Sequence, residues 1–326
     1  MTDYSALKSR LDGSEVVLLD GAIGTQLQAM AVPMSNLAWA ATALETHPFT
    51  VRRMHERYLG AGVDILTTNT YSAARHNLEP LGLGERLCEL NLRAVMLAED
   101  ARARAAGDRA VWIAGSVSNY GLVVGREGDW PPSAHFPRRS ETSEAQARAN
   151  LRDQAAILAD AGVDFLLAEA TGGHRHRMWV VEACLATGLP VWVGFKVHLD
   201  PGDPEPRVGY QSADRLADTL DEVMALGGEA VTLFHSSVAA CEAALPIVKA
   251  HWKGPIGVYP EAERGDYVAR YRDQAAPTPL SPDDFVAHAR DWVAEGVQIV
   301  GGCCGVELEH IRRLRAALPP RLPEAA

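Results

Sequence analysis

An eight-stranded parallel β/α barrel is the fold that this 326-residue sequence predicts, on three observations. Short apolar runs rich in β-branched residues recur eight times along the chain. Between them lie longer stretches in which apolar residues return at helical spacing. The helix-to-strand junction also repeats, as Ala61-Gly62-Val63-Asp64, Ala161-Gly162-Val163-Asp164 and Glu295-Gly296-Val297-Gln298, each a glycine stop followed by an apolar start. Strand then helix, repeated in this way, is the pattern of a closed parallel sheet wrapped in helices.

Taken in order, the strands are expected at 16–20, 63–68, 111–117, 163–169, 190–195, 230–235, 255–259 and 297–301. Helical periodicity is clearest over 83–106, 143–161, 212–226 and 282–295. Three stretches fit neither pattern: 35–48, 124–143 and 199–212, the last two rich in Pro, Gly and charge. Each follows a strand or its turn, which in a barrel places it over the carboxyl-terminal rim as a candidate lid. Residues 1–318 are expected to form one barrel domain, and 319–326 a flexible tail.

Composition bounds the function. A hydrophobic fraction of 47% supports a large core, and a formal net charge of −11 argues against nucleic acid, whose phosphates need clustered Lys and Arg. The expected partners are small molecules, and the sequence leaves homo-oligomer formation open. Five cysteines, Cys88, Cys184, Cys241, Cys303 and Cys304, form an odd set without framework spacing, which suits a reducing compartment; the cytoplasm is the expectation. The chain starts without a basic segment leading into an apolar core, and no apolar run approaches the roughly 20 residues of a membrane span.

The strand register brings the polar residues to one rim: Asp20, Thr68 and Asn69, Ser116, Glu169, Lys196, His235, Tyr259, and Cys303 with Cys304. In Gly301-Gly302-Cys303-Cys304-Gly305, glycines let the backbone turn tightly at a strand end, so that two adjacent thiolates can face one point. The competing reading is a pair of small buried residues at a turn. A metal is the natural occupant, and zinc the natural metal, since it accepts thiolate and works with three protein ligands and one open position. His235, ending the sixth strand, supplies the third ligand; the alternative is a helix-capping histidine. Cys88, Cys184 and Cys241 fall in helical patterns and are expected in the core. Asp20 and Glu169 end apolar strands where burial is costly without a cation, and a substrate ammonium would serve. Helix capping is the rival role for Asp20, and the backbone near Gly21 and Gly24 can approach an anion such as an α-carboxylate.

Together these residues give the chain a resemblance to the homocysteine S-methyltransferase family, zinc-dependent barrels that move a methyl group from a carrier to a thiol. It is carried by Leu19-Asp20-Gly21-Ala22-Ile23-Gly24-Thr25, Thr68-Asn69-Thr70-Tyr71, Gly115-Ser116-Val117, Glu169 and Gly301-Gly302-Cys303-Cys304-Gly305, in order over nearly the whole chain. The resemblance implies zinc thiolates at Cys303 and Cys304, and an amino-acid acceptor such as homocysteine whose ammonium is held by Asp20 and Glu169. It makes Asp20, Gly21, Thr25, Asn69, Tyr71, Ser116, Glu169 and Tyr259 the expected substrate-binding residues. It also implies a third cysteine ligand, preceded by Asn, where this chain has Phe234-His235. Lys196 and Glu261 depart from the usual small or amide residues, pointing to an altered substrate pocket. For an onium-type methyl donor, Trp39, Tyr71, Trp130 and Tyr259 are the aromatic faces expected near the rim. Two rival functions are a zinc hydrolase or lyase with Glu169 or Glu261 as base, and a barrel that binds an amino acid or thiol without turnover.

Overall fold

The computed structural model describes residues 3–124, 127–128, 141–210, 212–262 and 280–323. Eight parallel strands form one sheet: β1 (Val17–Leu18), β2 (Ile65–Thr67), β3 (Trp112–Ser118), β4 (Phe165–Ala170), β5 (Val191–Phe195), β6 (Ala230–Ser237), β7 (Ile256–Glu261) and β8 (Ile299–Val300). Their order is β1-β8-β7-β6-β5-β4-β3-β2, and a parallel bridge between Leu19 and Ile65 joins the two ends. Every strand expected from the sequence is present, and helices cover the outside of the sheet.

Two apolar layers hold the barrel. Leu19, Trp112, Phe165, Trp192 and Ile299 fill its interior, and the helix Tyr4–Asp12 plugs the amino-terminal end with Leu7 and Leu11. Burying a side chain such as Leu7, which is 0% exposed, contributes about 2 kcal/mol. Trp192 Nε1 donates to the Tyr4 hydroxyl at 2.9 Å, so the plug is also fixed by a polar contact. The second layer packs the outward strand faces against the helices.

The repeated junction has a structural explanation. Gly62, Gly162 and Gly296 sit at φ of +95°, +89° and +100°, a left-handed conformation that a side chain would strain, each directly after a helix cap. The aspartate that follows staples neighbouring strands at the amino end: Asp64 accepts the Leu18 N–H at 2.8 Å and pairs with Arg10, and Asp164 accepts the Ile113 N–H at 2.7 Å and pairs with Arg102. These carboxylates stabilise the barrel at the rim opposite Asp20 and Glu169.

Several expectations are corrected. Cys88 is exposed, because it sits on the outer side of the first turn of the helix Leu87–Ala105; Cys184 and Cys241 are buried as expected. Residues 319–323 are tied down rather than loose: Pro320 O accepts the Val16 N–H at 2.9 Å and the Leu322 N–H donates to Ser14 O at 2.8 Å. Within 35–48 lie two short helical turns, Ala40–Thr42 and Ala43–Thr46. The stretch 199–212 contains Arg207–Val208, which pairs back on Val197–His198. Most of 124–143, including Trp130, lies outside the described residues. Among the described residues no helix is long and apolar enough to cross a membrane.

Candidate functional site

Strand ends β1 and β4 carry the acidic side of the site. Asp20 is 2% exposed; its carboxylate accepts the Thr67 N–H and the Thr67 hydroxyl, both at 2.8 Å. Glu169, 6% exposed, accepts the Ser116 hydroxyl on Oε2 and the Tyr259 hydroxyl on Oε1, the latter at 3.0 Å. Burial pushes both carboxyl groups up to about 7, against the pull of these donors. Each buried carboxylate is met by hydroxyl or backbone donors and keeps lone pairs that a cationic guest could take up.

The opposite side stands on irregular backbone. At the end of β6 the pairing with β7 slips between Phe234 and Ser237, so that one extra residue bulges out. His235 occupies the bulge at φ +48°, a conformation costly for a non-glycine residue and typical of functional sites. Ser236 braces it, its hydroxyl donating to Phe234 O at 2.7 Å and accepting the Val197 N–H at 2.8 Å.

Beyond β8 the two cysteines lie in a turn sewn to its neighbours. The Gly302 N–H donates to Asp20 O at 3.1 Å, the Cys303 N–H to Pro260 O at 2.8 Å, and the Ala262 N–H to Cys304 O at 2.9 Å. Gly302 is required there, since a Cβ would lie 2.0 Å from Val306 Cγ1. His235 Nδ1 is 3.3 Å from Cys303 Sγ and 3.8 Å from Cys304 Sγ, and the two sulfurs are 3.7 Å apart. The three donor atoms lie within 4.8 Å of one another and could hold a metal ion. Nδ1 also contacts Glu261 Oε1 at 2.8 Å, and Nε2 meets the Tyr210 hydroxyl. Burial disfavours the imidazolium, but Glu261 and Cys303 outweigh it and raise His235 well above its ordinary range. Contact with Cys304, with help from His235, holds the Cys303 thiol below the usual thiol range despite burial.

Both sides face one cavity of about 130 Å³. Of the residues expected to bind substrate, Asp20, Gly21, Asn69, Tyr71, Ser116, Glu169 and Tyr259 line it, together with His235, Cys303 and Cys304. Thr25 does not: its hydroxyl accepts the Gly305 N–H at 3.2 Å, supporting the cysteine turn from behind. Asn69 also braces the wall, donating to Ala40 O at 2.9 Å. Lys196 and Glu261 do not line the cavity either; the Lys196 ammonium sits 4.4 Å from the Tyr210 ring centroid, so both stand behind His235. Sequence reasoning passed over Thr67, Tyr120 and Tyr210. Thr67 was within reach, one position before the strand end that was singled out. Among the lining residues described there is no Lys or Arg, whereas Trp39, Tyr71, Tyr120, Phe234 and Tyr259 present aromatic rings.

The family model described as homocysteine S-methyltransferase matches residues 17–318, which spans the whole barrel and every residue of this cavity. The chain belongs to the homocysteine S-methyltransferase family. Relatives in this family include the homocysteine S-methyltransferase of Escherichia coli, 26% identical and aligned over 97% of this chain and 99% of its own length. The selenocysteine methyltransferase of Astragalus bisulcatus is 25% identical over 90% of each chain. Among solved structures, the metallated form of the homocysteine methyltransferase MmuM from Escherichia coli superposes with a TM-score of 0.72 at 25% identity, covering 95% of this chain and 99% of that one.

Proposed function

We propose that this chain transfers a methyl group from an onium-type donor to the thiol or selenol of an amino acid such as homocysteine, with a zinc ion held by His235, Cys303 and Cys304. The observation that carries the reading is the convergence of two thiol sulfurs, one imidazole nitrogen and two buried carboxylates on one cavity. The donor spacing fits zinc. Tetrahedral bonding at about 2.3 Å to sulfur and about 2.0 Å to nitrogen requires edges of about 3.8 Å between sulfurs and about 3.5 Å from nitrogen to sulfur. The three edges here are 3.7, 3.3 and 3.8 Å. Bound there, zinc would lower the acceptor thiol's pKa so that a thiolate exists near neutral pH.

Asp20 and Glu169 hold the acceptor's ammonium, whose charge favours their ionised forms. Their fixed partners Thr67, Ser116 and Tyr259 orient the carboxylates before substrate arrives, so little reorganisation accompanies binding. The aromatic rings of Trp39, Tyr71 and Tyr120 favour a cationic donor and keep water from the reacting atoms. In the transfer the acceptor sulfur forms a bond to the methyl carbon as the donor's bond to it breaks, and the donor leaves neutral with the electron pair. A hydrolytic alternative with Glu261 as base is disfavoured, because that carboxylate is engaged with the His235 ring. Incubating the purified protein with homocysteine and a panel of onium donors, with product mass and metal content measured, tests the reading. Methylated acceptor with one zinc per chain is expected; a zinc-loaded protein that methylates no thiol or selenol across the panel overturns it.

A further inference from the structure

We propose that Tyr210 is a positioning residue of the metal centre, holding the His235 imidazole in the tautomer whose Nδ1 can accept a metal ion. The proposal rests on the reading of His235 as a ligand. An imidazole binds a cation only through its unprotonated nitrogen, and the partner of the other nitrogen decides which one that is. Here the two nitrogens have competing partners. Glu261 lies 2.8 Å from Nδ1 and favours a proton there, which would block the face turned to Cys303 and Cys304. The Tyr210 hydroxyl lies on Nε2 and, as an acceptor, keeps the proton on that side, leaving Nδ1 open to the thiols.

Tyr210 is itself held in place. The Lys196 ammonium lies over its ring, the neighbouring Gly209 N–H donates to Lys196 O at 2.9 Å, and Gly209 O accepts from the His198 ring at 2.7 Å. The same loop is fastened to the residue after His235 through the Val197 N–H and the Ser236 hydroxyl. Residues 197–210 therefore grip the bulge of β6 at two points, one on the backbone side and one on the ring. A thiolate ligand has one donor atom and needs no such choice, so the role of Tyr210 belongs to a site that uses histidine.

Zinc affinity by chelator competition, and the visible spectrum of the Co²⁺-loaded protein, test this without reference to turnover. Tyr210→Phe keeps the ring against Lys196 and removes only the hydroxyl. It is expected to weaken zinc binding about 10- to 100-fold and to shift the Co²⁺ spectrum. Introduced into a His235→Cys background, the same change is expected to alter zinc affinity by less than about twofold. Wild-type zinc affinity in Tyr210→Phe, with His235→Ala weakened, overturns the role of Tyr210 alone. An equal loss in both backgrounds also overturns it, since the effect would then be one of packing. Wild-type affinity in His235→Ala overturns the ligand reading on which it rests.

Discussion

On one side of the cavity Asp20 and Glu169 stand at regular strand ends, Asp20 held by Thr67 of the adjoining strand and Glu169 by Ser116 of the adjoining β3 and by Tyr259 of β7 from across the barrel. On the other, His235 occupies a bulge at φ +48° and Cys303 and Cys304 a glycine turn. The contrast follows from what each side must do. A carboxylate attracts an ammonium over several ångströms, so strand-end placement suffices. Metal ligands must converge to within tenths of an ångström, and regular strands, whose side chains alternate between faces, do not aim neighbouring residues at one point. By the resemblance drawn from the sequence, the acidic side matches the family's motifs, whereas the side proposed to hold the metal carries the departures at His235, Lys196 and Glu261.

Removing a sulfur breaks the comparison most severely. Cys304→Ala is expected to lose bound zinc and to lower methyl transfer at least about 1000-fold, as metal analysis and product mass would record. A full equivalent of tightly bound zinc in that variant would locate the metal elsewhere. The acidic side should yield a smaller effect of a different kind. Asp20→Asn and Glu169→Gln are each expected to raise the acceptor's KM about 10- to 100-fold, the loss of a charged hydrogen bond worth about 1.5–3 kcal/mol. Zinc content and the donor's KM should be unchanged; an effect confined to the donor would refute the assignment.

The same two variants sharpen the comparison through stability. Burial raises both carboxyl groups to about 7, whereas in an unfolded chain they titrate near about 4. Between those values the folded state binds more protons, so these groups lower stability as pH rises from about 4, with the full loss present above about 7. Amides escape this loss: Oδ1 of an Asn at 20 can accept the Thr67 N–H while its NH₂ donates to the Thr67 hydroxyl. Each variant is expected to be about 1–3 kcal/mol more stable than wild type at pH 8, with the gain vanishing near pH 4 in denaturant titrations. The smallest effect belongs outside both sides. Cys88→Ser, at an exposed position, should leave zinc content and activity unchanged and stability within about 0.5 kcal/mol.

Much of this was legible in the sequence. The three helix-to-strand junctions marked strand starts, because a left-handed glycine after a helix is a local requirement. Asp20 and Glu169 stood out in the sequence because carboxylates ending apolar strands are costly to bury, and Cys303 and Cys304 because two adjacent thiols lie between glycines at a strand end. Tyr210 was not, since it lies in a loop without periodicity, 25 residues before the ring that it touches. Thr25 was misread because its motif neighbours line the cavity while its own hydroxyl turns to Gly305, 280 residues away.

What the sequence determined by itself was therefore the barrel and the residue types gathered at one rim. Both follow from periodicity and burial cost, which are properties of short segments. The tertiary structure alone decided which nitrogen of His235 faces the cysteines, that Lys196 and Glu261 stand behind that ring instead of in the cavity, and that Tyr210 completes its support. Those outcomes depend on one residue's φ and on contacts between distant segments, and no local pattern of residues records either.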